Sequence, residues 1–376
     1  QNNTADGVSV LNTAEGAITE IQSMLTRLKE LSVQAANDVN SDDEREAIQK
    51  EIEQINNEID RISDQTEFNT QSLINGNLSR RVYSDLQGVN QISVSDSYTA
   101  GVYGITVTED ARQAIAVGAG SITMSSTASI TEEQAGAINI NGYKISISEG
   151  DTLDKVMGKI IDGVNITGGS AFTVKDLNND TAANGTDYAG YVPTADYAGS
   201  TLVIMTNQYG SDQKMNITCD NAELADILGI PQAATQDGIY VEGSDVKAEI
   251  ATGDDGKRIG FADSAILSTK GTVITVTDVN NKEFSMDVPG NAAGTVFDDS
   301  NNDGQSAAGA GTARTISQEV TDVGTMSIHV GANQDQVIVI DIPAITTYSL
   351  GTEHMNVMTQ YTASRAISTV DEAINK

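Results

Sequence analysis

Leu11-Asn12-Thr13-Ala14-Glu15-Gly16-Ala17, followed by Leu25-Thr26-Arg27-Leu28-Lys29-Glu30-Leu31-Ser32-Val33-Gln34-Ala35-Ala36-Asn37, decides how this chain reads. Apolar or small residues recur at Leu11, Ala14, Ile18, Ile21, Leu25, Leu28, Ser32 and Ala35, in alternating steps of three and four. That is a heptad a/d seam, the mark of a long helix with a narrow apolar stripe. From residue 5 to 37 it would extend about 50 Å at ~1.5 Å per residue.

A break follows at Asn37-Asp38-Val39-Asn40, and Ser41-Asp42-Asp43-Glu44 then reads as a capping box. In such a box the Ser hydroxyl and the Glu carboxylate satisfy exposed N–H groups, and the acidic first turn suits the helix dipole. The next helix carries Ile48, Ile52, Ile55, Ile59 and Ile62 on one stripe and should fold back antiparallel on the first. Two stripes leave a flank wet, so a third helix is required. The C-terminal stretch from about Thr352 to Lys376 lacks Gly and Pro and offers Ile367, Val370 and Ile374, with Met355 and Met358 on a compatible face. The two ends of the chain are therefore expected to share one bundle, with the middle inserted into it.

The 376 residues suggest two or three domains at roughly 150 residues each. The middle, 81 to 323, is rich in Gly, Asn, Asp, Ser and Thr and shows short alternating runs that predict half-buried strands. Examples are Gly104–Thr108, Lys144–Ser148, Thr201–Met205 and Val273–Thr277. Helices are expected from Thr152 to Gly163, capped by Asp151, and from Asn221 to Leu228. Ser327–Val330 and Val337–Ile342, joined through Gly331-Ala332-Asn333, read as a β-hairpin packed on the bundle beside the C-terminal helix. The fold class is thus α+β: an antiparallel coiled-coil helical bundle core with a β-hairpin, plus a large, mostly β inserted outer region. The expected domains are a discontinuous core (1–80 and 324–376), a β-rich outer domain (81–235) and a second outer subdomain (236–323) with a flexible acidic loop near 298–312.

Composition narrows the function. There are 53 acidic and 21 basic residues, a formal charge of −32. That sign disfavours nucleic acid and anionic membrane surfaces as partners. No apolar run approaches the ~20 residues of a bilayer span. Aromatics are 4% and Trp is absent, which weakens the case for a small-molecule enzyme and predicts aliphatic cores. Cys219 stands alone, and His329 and His354 are the sole histidines, so no cofactor or metal site is expected. Asp299-Ser300-Asn301-Asn302-Asp303-Gly304 matches half of a calcium loop, but its twelfth position is Ala310 where a bidentate Glu is needed. No nucleophile elbow, phosphate loop or HExxH is present. The polar residues Arg27, Lys29, Glu30, Gln34, Glu51, Glu58 and Arg61 on the first two helices fit either a solvated face or a contact surface.

The two opening motifs, with Glu58-Ile59-Asp60-Arg61-Ile62, Glu67-Phe68-Asn69 and Leu73-Ile74-Asn75-Gly76, resemble the N-terminal core of bacterial flagellin. The Gly331-Ala332-Asn333 hairpin and the closing helix Ala366–Ile374 are similar to the same family. Ala137-Ile138-Asn139-Ile140-Asn141-Gly142, continuing to Leu228-Gly229-Ile230, resembles the "IN" module inserted in flagellins and hook-associated proteins. One departure is that the long insertion enters before the hairpin. A second is that the family's terminal polymerisation helices have no counterpart, so the chain is expected to be a fragment and, as such, monomeric.

The resemblance implies a structural subunit of the extracellular flagellar filament, secreted through the flagellar export apparatus. The implied partners are other subunits, an export chaperone, the filament cap and host Toll-like receptor 5. Carried onto this chain, the receptor-binding and protofilament contact positions fall on Arg27, Leu31, Gln34 and Glu51. Three alternatives stay open: a hook–filament junction protein, a flagellin bearing a peptidase insert, and an insertion that serves as an adhesin or glycan platform.

Overall fold

The structure is a computed structural model that describes residues 2–95, 98–175, 197–230, 238–280, 282–290, 292–293, 297–298, 307–308, 313–329 and 337–376. Its α-helices are α1 (Asn2–Ala35), α2 (Asp42–Gln65), α3 (Leu153–Ile166), α4 (Ala222–Leu228), α5 (Thr347–Leu350) and α6 (Gln360–Asn375). All strand pairs are antiparallel among the described residues, so the chain is an α+β mixture. No described helix is long and apolar enough to cross a membrane.

α1 packs against both α2 and α6. Its buried stripe runs Val10, Ala14, Ile21, Leu25, Leu28, Leu31 and Ala35, facing Ile48, Ile52, Ile59 and Ile62 of α2 and Ala363, Ala366, Val370 and Ala373 of α6. The expected seam needs one correction at its start. Leu11 is 50% exposed while its neighbour Val10 is buried. A helix of 3.6 residues per turn drifts away from a strict seven-residue repeat, so the stripe has moved by one position at this end. Buried Ser32 stays in the stripe because its hydroxyl donates to the Leu28 carbonyl at 2.8 Å. Thr13, Thr19 and Thr26 on the outer face use the same backward bond.

The third helix is shorter than the sequence suggests. α5 ends at Gly351, whose φ of 79° is the left-handed stop that glycine takes without strain. A non-helical segment with buried Met355 and Val357 follows, and α6 begins only at the Thr359–Thr362 capping box. α6 presents alanines to α1, so the two backbones can approach closely, and Ile367 is only half-buried.

Leu73, Ile74 and Leu78 are buried beside the returning segment, where Ile345 N–H donates to the Ile74 carbonyl at 2.8 Å and Ile342 N–H to that of Leu78 at 3.2 Å. The chain leaves and re-enters the core at one junction, where Arg81 N–H bonds the Val323 carbonyl and Thr321 N–H that of Arg81, both at 3.0 Å. The hairpin pairs Met326–His329 with Val337–Ile340. It packs on α1 rather than beside α6: a Cβ on Gly7 would lie 2.8 Å from Ile328 Cδ1. Its Gly331-Ala332-Asn333 turn lies outside the described residues.

The outer region is nested. One unit has two four-stranded sheets, ordered Lys247–Ile250, Gly101–Glu109, Arg314–Val320, Val82–Ser84 and Ile266–Lys270, Val273–Thr277, Glu283–Asp287, Asn90–Val94. Between them lies a core that draws on residues from Val94 to Ala111 and from Val246 to Val320. Tyr98, Tyr103, Phe261 and Phe284 meet there with ring centroids 5.1 to 6.0 Å apart, so this core is not wholly aliphatic. The second unit is threaded through it at Arg112 and Ser244, which exchange backbone hydrogen bonds of 2.7 and 3.0 Å. It contains a four-stranded sheet (Ile239–Glu242, Lys214–Cys219, Gly136–Ile140, Tyr143–Ile147), a three-stranded sheet (Ile115–Val117, Ser200–Thr206, Gly169–Lys175), α3 and α4. A cut at 235/236 would separate Lys214–Cys219 from its partner strand Ile239–Glu242, so the hydrophobic clusters divide the chain at 112 and 244 instead. Most of 298–312 lies outside the described residues, including Asp299–Gly304; Phe297–Asp298 pairs with Ala307–Ala308 at its base.

α3 is capped by Thr152, whose hydroxyl accepts from Lys155 N–H, not by Asp151. Asp151 instead accepts from Ser148 N–H at 3.0 Å and pairs with Lys155 and Lys159 at 2.7 and 2.6 Å, which holds its carboxyl far below the usual range.

Candidate interaction surface on the helical core

The α1–α2 turn sets this surface. Ser41 N–H donates to Glu44 Oε2 at 2.8 Å and Glu44 N–H to Ser41 Oγ at 3.3 Å. The Ser41 amide, then its hydroxyl, pull the Glu44 carboxyl below its ordinary value. Arg45, buried one turn into α2, donates to the carbonyls of Ala35 at 3.2 Å and Asn37 at 3.0 Å. A cation on the free carbonyls at the end of α1 satisfies groups that the helix leaves open. Sequence reading passed over Arg45; its place one residue beyond the capping box and three before Ile48 was the available signal.

With the turn fixed, Arg27 of α1 faces Glu51 of α2. Its Nε and Nη2 donate to Glu51 Oε1 at 3.1 and 2.7 Å, and Nη1 donates to Glu30 at 3.1 Å. These bonds, Glu51 first, raise the Arg27 pKa further. The Arg27 and Glu51 side chains remain 49% and 43% exposed, so the fork is held in place and still open to a partner. Gln34 is exposed two turns along. Leu31 is not a surface knob: it is 1% exposed. It sits three residues after Leu28 and four before Ala35, which turns it onto the buried stripe. Three of the four candidate residues therefore share the face, and Leu31 supports it from beneath. Lys29 bonds Asp371 of α6 at 2.6 Å. Among the described residues, no group of three or more His, Cys, Asp or Glu side chains is placed to hold a metal. Cys219 is buried, and burial pushes its thiol pKa up.

Residues 1–79 match the family model of the bacterial flagellin N-terminal helical region. The flagellin of Clostridium tyrobutyricum is 34% identical over 181 residues, covering 41% of this chain and 48% of that protein. The flagellin of Salmonella berta is 28% identical over 290 residues, covering 76% of this chain and 51% of that protein. The chain spans about half the length of these curated relatives. Among solved structures, the D1-D2-D3 domains of the flagellar cap protein of Escherichia coli align at 13% identity with a TM-score of 0.36, covering 82% of this chain and 64% of that one. Through residues 1–79 the chain is similar to the N-terminal helical region of bacterial flagellins, and the relatives it matches are flagellins.

Proposed function

We propose that this chain is a structural subunit of an extracellular bacterial flagellar filament, that its helical core works as a coiled-coil rod, and that copies assemble through it. What supports this reading is the pairing of a flagellin-type N-terminal region with a helix from the far end of the same chain in one core. The exposed apolar residues Val8 and Leu11 on α1, and Val337, Ile338 and Val339 on the hairpin that packs on it, supply surface for neighbouring copies. Export with a chaperone and growth beneath a filament cap belong to the same reading. The test is electron microscopy of cells lacking the gene: filaments should be absent and return on complementation. Immunogold label along the whole filament supports a subunit; label confined to its base would instead assign a hook–filament junction protein.

Host Toll-like receptor 5 is the second partner in this reading, engaging Arg27, Glu51 and Gln34, with Leu31 holding the helix beneath them. A planar guanidinium, already oriented and half-exposed, is the type of group that anchors an interface. Arg27→Ala should weaken binding of the receptor ectodomain by more than about 1 kcal/mol without unfolding the core. An unchanged titration would reject the role.

A further inference from the structure

A cleft of about 430 Å³ lies between the α1–α2 turn, the start of α6 and the four-stranded sheet of the inserted unit. Three of the chain's 11 tyrosines, Tyr143, Tyr240 and Tyr361, line it, in a protein with no Trp and 5 Phe. Two of the rings are pinned through their hydroxyls. Tyr240 donates to Glu242 at 2.6 Å, and Tyr361 donates to the Asp212 carbonyl at 3.3 Å. Tyr240 is nevertheless 51% exposed. The Arg365 guanidinium lies 5.9 Å from the Tyr361 ring centre but does not line the cleft. The Lys214 ammonium, a wall of the cleft, lies 5.8 Å from the Tyr240 ring centre, so both rings are oriented with a cation against one part of their surface, and Tyr240 remains half-exposed.

The remaining walls are mostly polar, with Met358 just before α6 as the apolar exception. Asn141 is spent on structure: its Nδ2 donates to the Lys214 carbonyl and its Oδ1 accepts from Asn216 N–H. Asn216 and Gln360 bring further carboxamides, and exposed Asp38 and Asp42 stand at the helical edge. The lining carries two charges of each sign, Asp38 and Asp42 against Arg45 and Lys214, with Lys214 paired to Glu242 at 2.8 Å and Arg45 bonded to the Ala35 and Asn37 carbonyls. A ligand suited to such walls has apolar C–H faces for the rings and many hydroxyls for the carboxylates and carboxamides, with no net charge of its own. A drug-like aromatic ligand would need a deep apolar pocket, which this open, polar-walled cleft is not. We infer that this cleft binds a neutral oligosaccharide, the sugar packing on Tyr240 and Tyr361 while neighbouring hydroxyl pairs donate to Asp38 and Asp42. The proposal stands apart from filament assembly and goes beyond it.

The experiment is a calorimetric and NMR titration of the 376-residue chain with triacetylchitotriose and with maltotriose, using sialyllactose as the anionic control and a Lys-rich peptide as the cationic one. Saturable binding of at least one neutral trisaccharide, with shifts centred on Tyr240 and Tyr361, is expected. Tyr240→Ala should weaken it about three- to tenfold. Tyr361→Leu, which keeps apolar bulk at the start of α6, should do the same with an unchanged melting curve. Failure of both neutral sugars to saturate at millimolar concentration would overturn the proposal. So would binding insensitive to both tyrosine variants, or a cleft that takes the peptide or sialyllactose in preference.

Discussion

Asp60 and Thr347, 287 positions apart, are joined by two hydrogen bonds: the Thr347 amide to Oδ1 at 2.8 Å and its hydroxyl to Oδ2 at 2.7 Å. The carboxylate thereby caps the first turn of α5 from the side of α2. Thr347 is 3% exposed, so its two donors depend on Asp60 for their acceptor. Asp60→Ala should cost about 1–3 kcal/mol of stability, measured by denaturant titration, because two buried donors lose their acceptor. Asp60→Asn should cost less, since it keeps one acceptor.

Arg45 makes a second long-range demand. Arg45→Ala strands the Ala35 carbonyl, leaves that of Asn37 to Asn40 alone, and empties a buried position. A loss of about 1–3 kcal/mol is expected in the same measurement. Hydrogen exchange should accelerate first at the end of α1 and the start of α2. Protection unchanged at that corner would count against the capping role.

Acid should act on the inserted unit through Asp151. Its pKa is depressed from 3.8 by Lys155, then Lys159, then the Ser148 amide. A depressed acid contributes stability above its unfolded pKa and loses it as pH falls through the folded value. The melting difference between the wild type and Asp151→Asn should therefore be full near neutrality and shrink as pH drops below about 4. A difference that grows with acidification would contradict the assignment.

Gly229 closes α4 with φ +67°, and a Cβ there would sit 2.1 Å from the Gly120 carbonyl oxygen. Gly229→Ala combines left-handed strain with a backbone clash, so the loss should exceed the ~1 kcal/mol of the conformational effect alone. Calorimetry should show the inserted unit melting earlier while the helical core is unmoved. A single shifted transition for the whole chain would show that the units are coupled more tightly than their separate hydrophobic clusters suggest.

What could be read from sequence was local. The long first helix, the Ser41–Glu44 box and the strands around Gly104, Lys144, Thr201 and Val273 each rest on a periodicity or a cap contained within a few residues. Arg27, Gln34 and Glu51 were legible as a polar face for the same reason. Leu31 lies on the buried stripe because it falls three residues after Leu28 and four before Ala35.

Only the tertiary structure decided which distant pieces meet. Gly101–Glu109 takes Arg314–Val320 and Lys247–Ile250 as neighbours, and the whole unit from Arg112 to Ser244 hangs between them. Alternation marks a strand as half-buried but does not name its partner, since any strand of the same period offers the same ladder of amides and carbonyls. The nested division of the outer region, the burial of Arg45 and the convergence of three tyrosines on one cleft all depend on that choice of partners.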